Sequence, residues 1–158
     1  MDSMQTPLPE SMDIPQRKVD TLLQHYGLSH THPVNEVIHF VAIPAIMLSL
    51  NGLLFAVHPV LVLLLIAASL VYYARLSWPF TLCMLLLSSV MLALVDAMDA
   101  AGVLVQASVG IFVVAWIFQF IGHHLEGKKP SFFKDIQFLL IGPAWLMSFI
   151  YKKLGVNV

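Results

Sequence analysis

Four long apolar runs, at 37–57, 59–74, 79–95 and 103–122, leave few folds open to this chain. A helix crossing the hydrocarbon core of a bilayer needs ~20 predominantly apolar residues, within a range of about 17–25. The first and last runs meet that length, and the middle two reach it by extending into their flanks. Inside a bilayer every backbone N–H and C=O must be satisfied by the protein, which a helix does within one segment. The expected fold class is therefore all-α, a polytopic bundle of about four transmembrane helices. Composition agrees: 59% of the 158 residues are hydrophobic, 11% are charged, and mean hydropathy is +0.85. Soluble domains carry about 45–50% apolar and about 25% charged residues. Pro44 lies inside the first run, where neighbouring helices can repair the interruption, and Pro59 stands where the first turn of the second would begin.

The remaining segments are read by their flanks. Residues 1–15 are polar and proline-rich, with Asp2, Glu10 and Asp13 where a signal peptide would be basic, and are expected to form a disordered leader. Residues 16–158 form a single membrane-integral domain. Within it, 16–26 places Val19, Leu22, Leu23 and Tyr26 at helical spacing, as in a short helix lying along the membrane surface. A fifth apolar run at 138–151 is short and contains Gly142-Pro143, which suits a re-entrant or interfacial segment better than a crossing. Arg17 and Lys18 precede the first span, Arg75 follows the second, and Lys128, Lys129 and Lys134 follow the fourth, whereas the other two connections carry no Lys or Arg. The positive-inside rule then puts both termini on the cytoplasmic side.

Net charge is −1 and no basic run exceeds two residues, so nucleic acid is not an expected partner, whereas membrane lipid is. The single cysteine, Cys83, lies inside an apolar run and reads as a small core residue.

The polar residues are distributed unevenly. His25, His30, His32 and His39 enter the first span, and His123 and His124 leave the fourth, so both groups fall at the cytoplasmic face although roughly eighty residues separate them. Asn35 and His39 are four apart and share a helix face. Gln119, His123 and Glu126 fall at i, i+4 and i+7, a polar stripe on an apolar helix. Polar groups of membrane helices face the bundle interior and often mark function. Imidazoles with a carboxylate suit iron, zinc or manganese, and histidines with open positions are what non-haem Fe(II) oxygenases use. His58, Asp96 and Asp99 lie in the connections on the other side and read as turn and cap residues.

The first of these segments, His30-x-x-Pro33-x-Asn35-x-x-x-His39-x-x-x-x-Pro44 with Tyr26 four residues before it, resembles a signature of the membrane-integral 2-hydroxy fatty acid dioxygenases. These are known from the fungal endoplasmic reticulum and from bacteria. Gln119-Phe120-Ile121-Gly122-His123-x-x-Glu126-x-x-x-Pro130 resembles their second signature and Gly142-Pro143 a weaker third. The similarity runs from about Tyr26 to the C-terminus, carried between the signatures by hydropathy.

The resemblance implies a ferrous dioxygenase of fatty-acid α-oxidation, taking a long-chain 2-hydroxy fatty acid and O₂ to the acid one carbon shorter. It implies Fe(II) held by His30, His39 and His123, with His124 as a neighbouring alternative and Glu126 as a fourth ligand or a supporting partner. Asn35, Gln119 and Tyr26 would orient the site. Two other classes remain open: a non-enzymatic transporter or lipid-binding scaffold, and a zinc-dependent membrane lipid hydrolase. A transporter is expected to show paired half-repeats with broken helices near the midplane; instead the polar groups cluster at one end. The C-terminal Gly155-Val156-Asn157-Val158 is not a retention signal for the endoplasmic reticulum, which favours a bacterial inner membrane.

Overall fold

The computed structural model describes residues 18–27, 31–127 and 140–155. Among them every regular element is a helix: α1 (Lys18–Gly27), α2 (Pro33–Val57), α3 (Pro59–Leu76), α4 (Trp78–Ala100), α5 (Leu104–Leu125) and α6 (Ile141–Lys153). The expected leader at 1–15, His30 and Pro130 lie outside the described residues. Helices α2 to α5 are each long and apolar enough to cross a bilayer, and connections of a few residues make successive ones antiparallel.

The helices extend further than the apolar runs that announced them, for local reasons. Helix α2 begins at Pro33, four residues before the apolar run, because proline suits the first turn and His32 caps it: His32 Nδ1 accepts the Val34 N–H at 3.2 Å. The same device starts α3, where His58 Nδ1 accepts the Val60 N–H at 3.2 Å and Pro59 follows. Helix α4 runs on through Asp96 and Asp99, and Gly102, at φ +69°, turns the chain toward α5 in a backbone region where side chains cost energy.

Small residues set how close the helices come. The α2–α5 pair packs tightly along its length. Gly52 receives Ser108 at one end, Ala42 meets Ala115 in the middle, and Gly122 receives Asn35 at the other end. A Cβ on either glycine would overlap the polar atom lodged against it. Without a hydrophobic drive between helices in lipid, such close backbone approach is the usual source of association. Many large apolar side chains point outward, with Val41 70% exposed and Leu86 67%. The buried positions of α2 and α5 include Asn35, His39, Gln119 and His123.

Helix α6 has 13 residues, fewer than a bilayer crossing needs, and Ile141 to Ser148 are all buried, so its first two turns are enclosed by the protein while Phe149 and Ile150 are exposed. It packs on α1 through Tyr26 and Trp145, whose rings stand 5.4 Å apart. The Tyr73 hydroxyl donates to the Leu140 carbonyl, and the Tyr151 hydroxyl donates to the Pro79 carbonyl at 2.6 Å, which ties α6 to the end of α3 and the start of α4. Leu140 reaches a cavity of about 40 Å³ lined by residues of α2, α3 and α4, so the segment enters the bundle. Pro143 is tolerated because it stands in the first turn, where N–H groups have no intrahelical partner.

Candidate functional site

The two polar segments meet where α2 begins and α5 ends. Asn35 and His39 are one turn apart on α2 and are 0% and 2% exposed; Gln119 and His123 are one turn apart on α5 and are 6% and 7% exposed. The His39 and His123 rings stand edge to face with centroids 5.3 Å apart. His124 is exposed on another face of α5. Helical period decides this, since His123 is four residues from buried Gln119 and His124 is five.

The tautomer of His39 follows from its partner. Its Nδ1 lies 2.9 Å from the Asn35 carbonyl oxygen, which only accepts, so Nδ1 carries the proton and donates. The Nε2 lone pair is thereby the one directed away from the helix backbone. Two side-chain oxygens near the pair, Asn35 Oδ1 and Gln119 Oε1, are buried without a hydrogen-bond partner among the described residues. An orphaned buried acceptor costs about 1–3 kcal/mol, so such atoms call for an explanation at a site. Asn35 Oδ1 lies against Gly122, in the space a Cβ would fill.

Glu126 ends α5 and reaches the start of α2. Its Oε1 accepts the Thr31 N–H at 2.7 Å and the Thr31 hydroxyl at 2.6 Å; its Oε2 accepts the His32 N–H and the Asn35 Nδ2–H, both at 3.0 Å. Burial alone would raise the carboxyl pKa, but these four donors outweigh it and hold the group down at about 2. Sequence reasoning singled out Glu126 and Asn35 but not Thr31; the only signal was its place inside the first signature, with an oxygen ahead of a helix start. Tyr26 is placed on the neighbouring α1–α6 cluster with Ile43 and Trp145, its hydroxyl beside Gly142. Among the described residues no three His, Cys, Asp or Glu side chains converge as metal ligands do. The structure therefore brings together His39, His123, Gln119, Asn35 and Glu126, and leaves His124 apart.

An apolar groove of about 520 Å³ also lies along α2 and α5, lined by Val37, Ile38, Ala45, Val114 and Phe118 among others. It is on the far side of the seam from the histidines. Relative to Ala42 on the seam, Ile38 and Ala45 turn one way at helical spacing, and His39 and Ile46 turn the other.

A family model described as 2-hydroxy-palmitic acid dioxygenase Mpo1-like matches residues 16–154. The chain belongs to the Mpo1-like family. A curated relative, the 2-hydroxy-palmitic acid dioxygenase MPO1 of Saccharomyces cerevisiae, is 30% identical over 140 residues, covering 84% of this chain and 79% of the relative. No solved structure matches. The resemblance read from the two signatures is thus borne out at the level of the family, and the two segments that carry it are the ones that meet at His39 and His123.

Proposed function

We propose that this chain is an Fe(II)-dependent dioxygenase that converts a long-chain 2-hydroxy fatty acid and O₂ into the fatty acid one carbon shorter. The observation that carries the reading is the buried imidazole pair, His39 and His123, at the polar end of a membrane bundle in a dioxygenase family. The donor set fits iron: two imidazoles, one with its tautomer fixed, beside a buried amide oxygen, Gln119 Oε1, that has no partner among the described residues. In this reading His30, His39 and His123 hold the metal. Bound ferrous iron supplies the one-electron redox chemistry that lets O₂ react with a closed-shell substrate.

The atoms balance without a further reductant. A 2-hydroxy acid and one O₂ give the shortened acid, CO₂ and water, and all four electrons come from the substrate. The protein's own groups then have limited tasks. Gln119 Oε1 accepts a hydrogen bond from the substrate 2-hydroxyl, which orients the carbon that is oxidised. Asn35 holds His39 through its carbonyl, and Tyr26 would orient the site from the neighbouring α1–α6 cluster. The spans keep the acyl chain in hydrocarbon while the carboxylate and hydroxyl stay at the polar end. The Lys and Arg bias supports a cytoplasmic position for this end and for both termini. Reporter fusions at residues 18 and 153 are expected to agree on that side, and opposite sides would contradict it.

The reaction is tested by product analysis. Membranes containing the chain, given a 2-hydroxy fatty acid, are expected to yield the acid one carbon shorter by mass spectrometry. The unhydroxylated acid is expected to stay unchanged, because it offers only its carboxylate to the site. Stoichiometric zinc after anaerobic purification with iron supplied would favour hydrolysis instead.

A further inference from the structure

We propose that Thr31 and Glu126 form a clasp that positions His39, so that Glu126 serves the site through Asn35 rather than as a metal ligand. The inference rests on the reading above only in taking His39 to be a ligand. A carboxylate offers about four acceptor sites. Glu126 fills them with Thr31 N–H, Thr31 Oγ1–H, His32 N–H and Asn35 Nδ2–H, at 2.6 to 3.0 Å. No lone pair is left for a metal while these bonds stand.

The clasp has a mechanical logic. The N–H groups of Thr31 and His32, just ahead of α2, have no helical partner, and the start of a helix presents a positive end that favours a carboxylate there. Here the carboxylate comes from another helix, 95 residues away from Thr31. It therefore fixes where α2 starts relative to where α5 ends, which is also where His39 faces His123. Asn35 links the two tasks. Its side chain donates to Glu126 at 3.0 Å, and its carbonyl accepts from His39 Nδ1 at 2.9 Å. Loosening the first turn of α2 therefore passes to the ring and frees its tautomer. Thr31 supplies two of the four bonds and is exposed, so replacing it opens no cavity in the core.

The test needs no metal. In metal-free, ¹⁵N-histidine-labelled protein in detergent, His39 is identified by the signal that His39→Gln removes, and it should show one tautomer, protonated at Nδ1. Thr31→Val keeps the shape and loses the hydroxyl donor; Thr31→Ser restores it. Thr31→Val is expected to average the His39 tautomers and to speed amide exchange at 32–36 severalfold, and Thr31→Ser to behave as wild type. A Thr31→Val protein with an unchanged His39 signal and unchanged exchange would overturn the clasp. Fe(II) titration separates this from the proposed function: no binding to wild type would sink the metal reading, while the tautomer result still decides the clasp. With binding, Thr31→Val should weaken it about 10-fold and Glu126→Gln about 10- to 100-fold, the range for partners that orient a ligand.

Discussion

The two ends of the bundle are built alike and differ in what they hold. Each starts a helix with the same tripeptide, His32-Pro33-Val34 and His58-Pro59-Val60, and each histidine caps through Nδ1 at 3.2 Å. Each end of the α2–α5 seam also lodges a polar side chain against a glycine, Asn35 on Gly122 and Ser108 on Gly52. Among the described residues, only one end adds buried imidazoles and a carboxylate that crosses between helices. A histidine at a helix start is thus a cap by itself; the candidate site has two buried rings facing each other, one of them held by a backbone carbonyl.

The comparison can be broken most severely at the rings. His39→Ala or His123→Ala is expected to abolish iron retention in purified, folded protein, measured by elemental analysis, while His58→Ala retains it. Loss of iron in His58→Ala would mean that the two ends are not distinct. The next largest effect falls on the carboxylates: Glu126→Gln should lower turnover about 10- to 100-fold, and Asp96→Asn should leave it within twofold. Gly122→Ala forces Asn35 out of its notch and should cost about 1–3 kcal/mol of stability, with iron affinity falling alongside. Gly52→Ala should destabilise comparably through Ser108 yet leave iron affinity unchanged, and equal iron loss in both would dissolve the contrast.

The smallest expected effect is that of pH. Glu126 is held at about 2, below its ordinary 4.5, so its contribution is fully present above pH 4.5 and is lost as pH falls toward 2. Amide exchange at 32–36 should therefore be flat from pH 7 to 5, after correction for intrinsic rates, and should rise only below about pH 4.5.

Much of this architecture was legible in the sequence, because bilayer physics is restrictive. Run length identified the four spans, and the i, i+4 spacing of Asn35 with His39 and of Gln119 with His123 identified the inward faces. What was not legible depends on contacts between distant residues. Residues 138–151 suited either a re-entrant or an interfacial course, and nothing in the run itself foretold that Ile141 to Ser148 would all be buried. His123 and His124 are adjacent, so composition could not tell which ring is buried beside His39 and which is exposed. The four donors that Glu126 accepts from lie on a distant segment that its own helix does not reveal, and Thr31 acquires meaning only across 95 residues. His30, the third ligand in the family reading, lies outside the described residues, so its part in the site rests on the signature.

The central claim is that the polar end of this bundle oxidises 2-hydroxy acids with iron. It is tested most directly by oxygen uptake of purified, iron-loaded protein across a series of 2-hydroxy fatty acids and their unhydroxylated counterparts. The account predicts uptake with the hydroxylated acids only, stopped by a ferrous chelator, restored by added Fe(II), and absent in His123→Ala. Iron-loaded protein that leaves 2-hydroxy acids of every chain length untouched would contradict it.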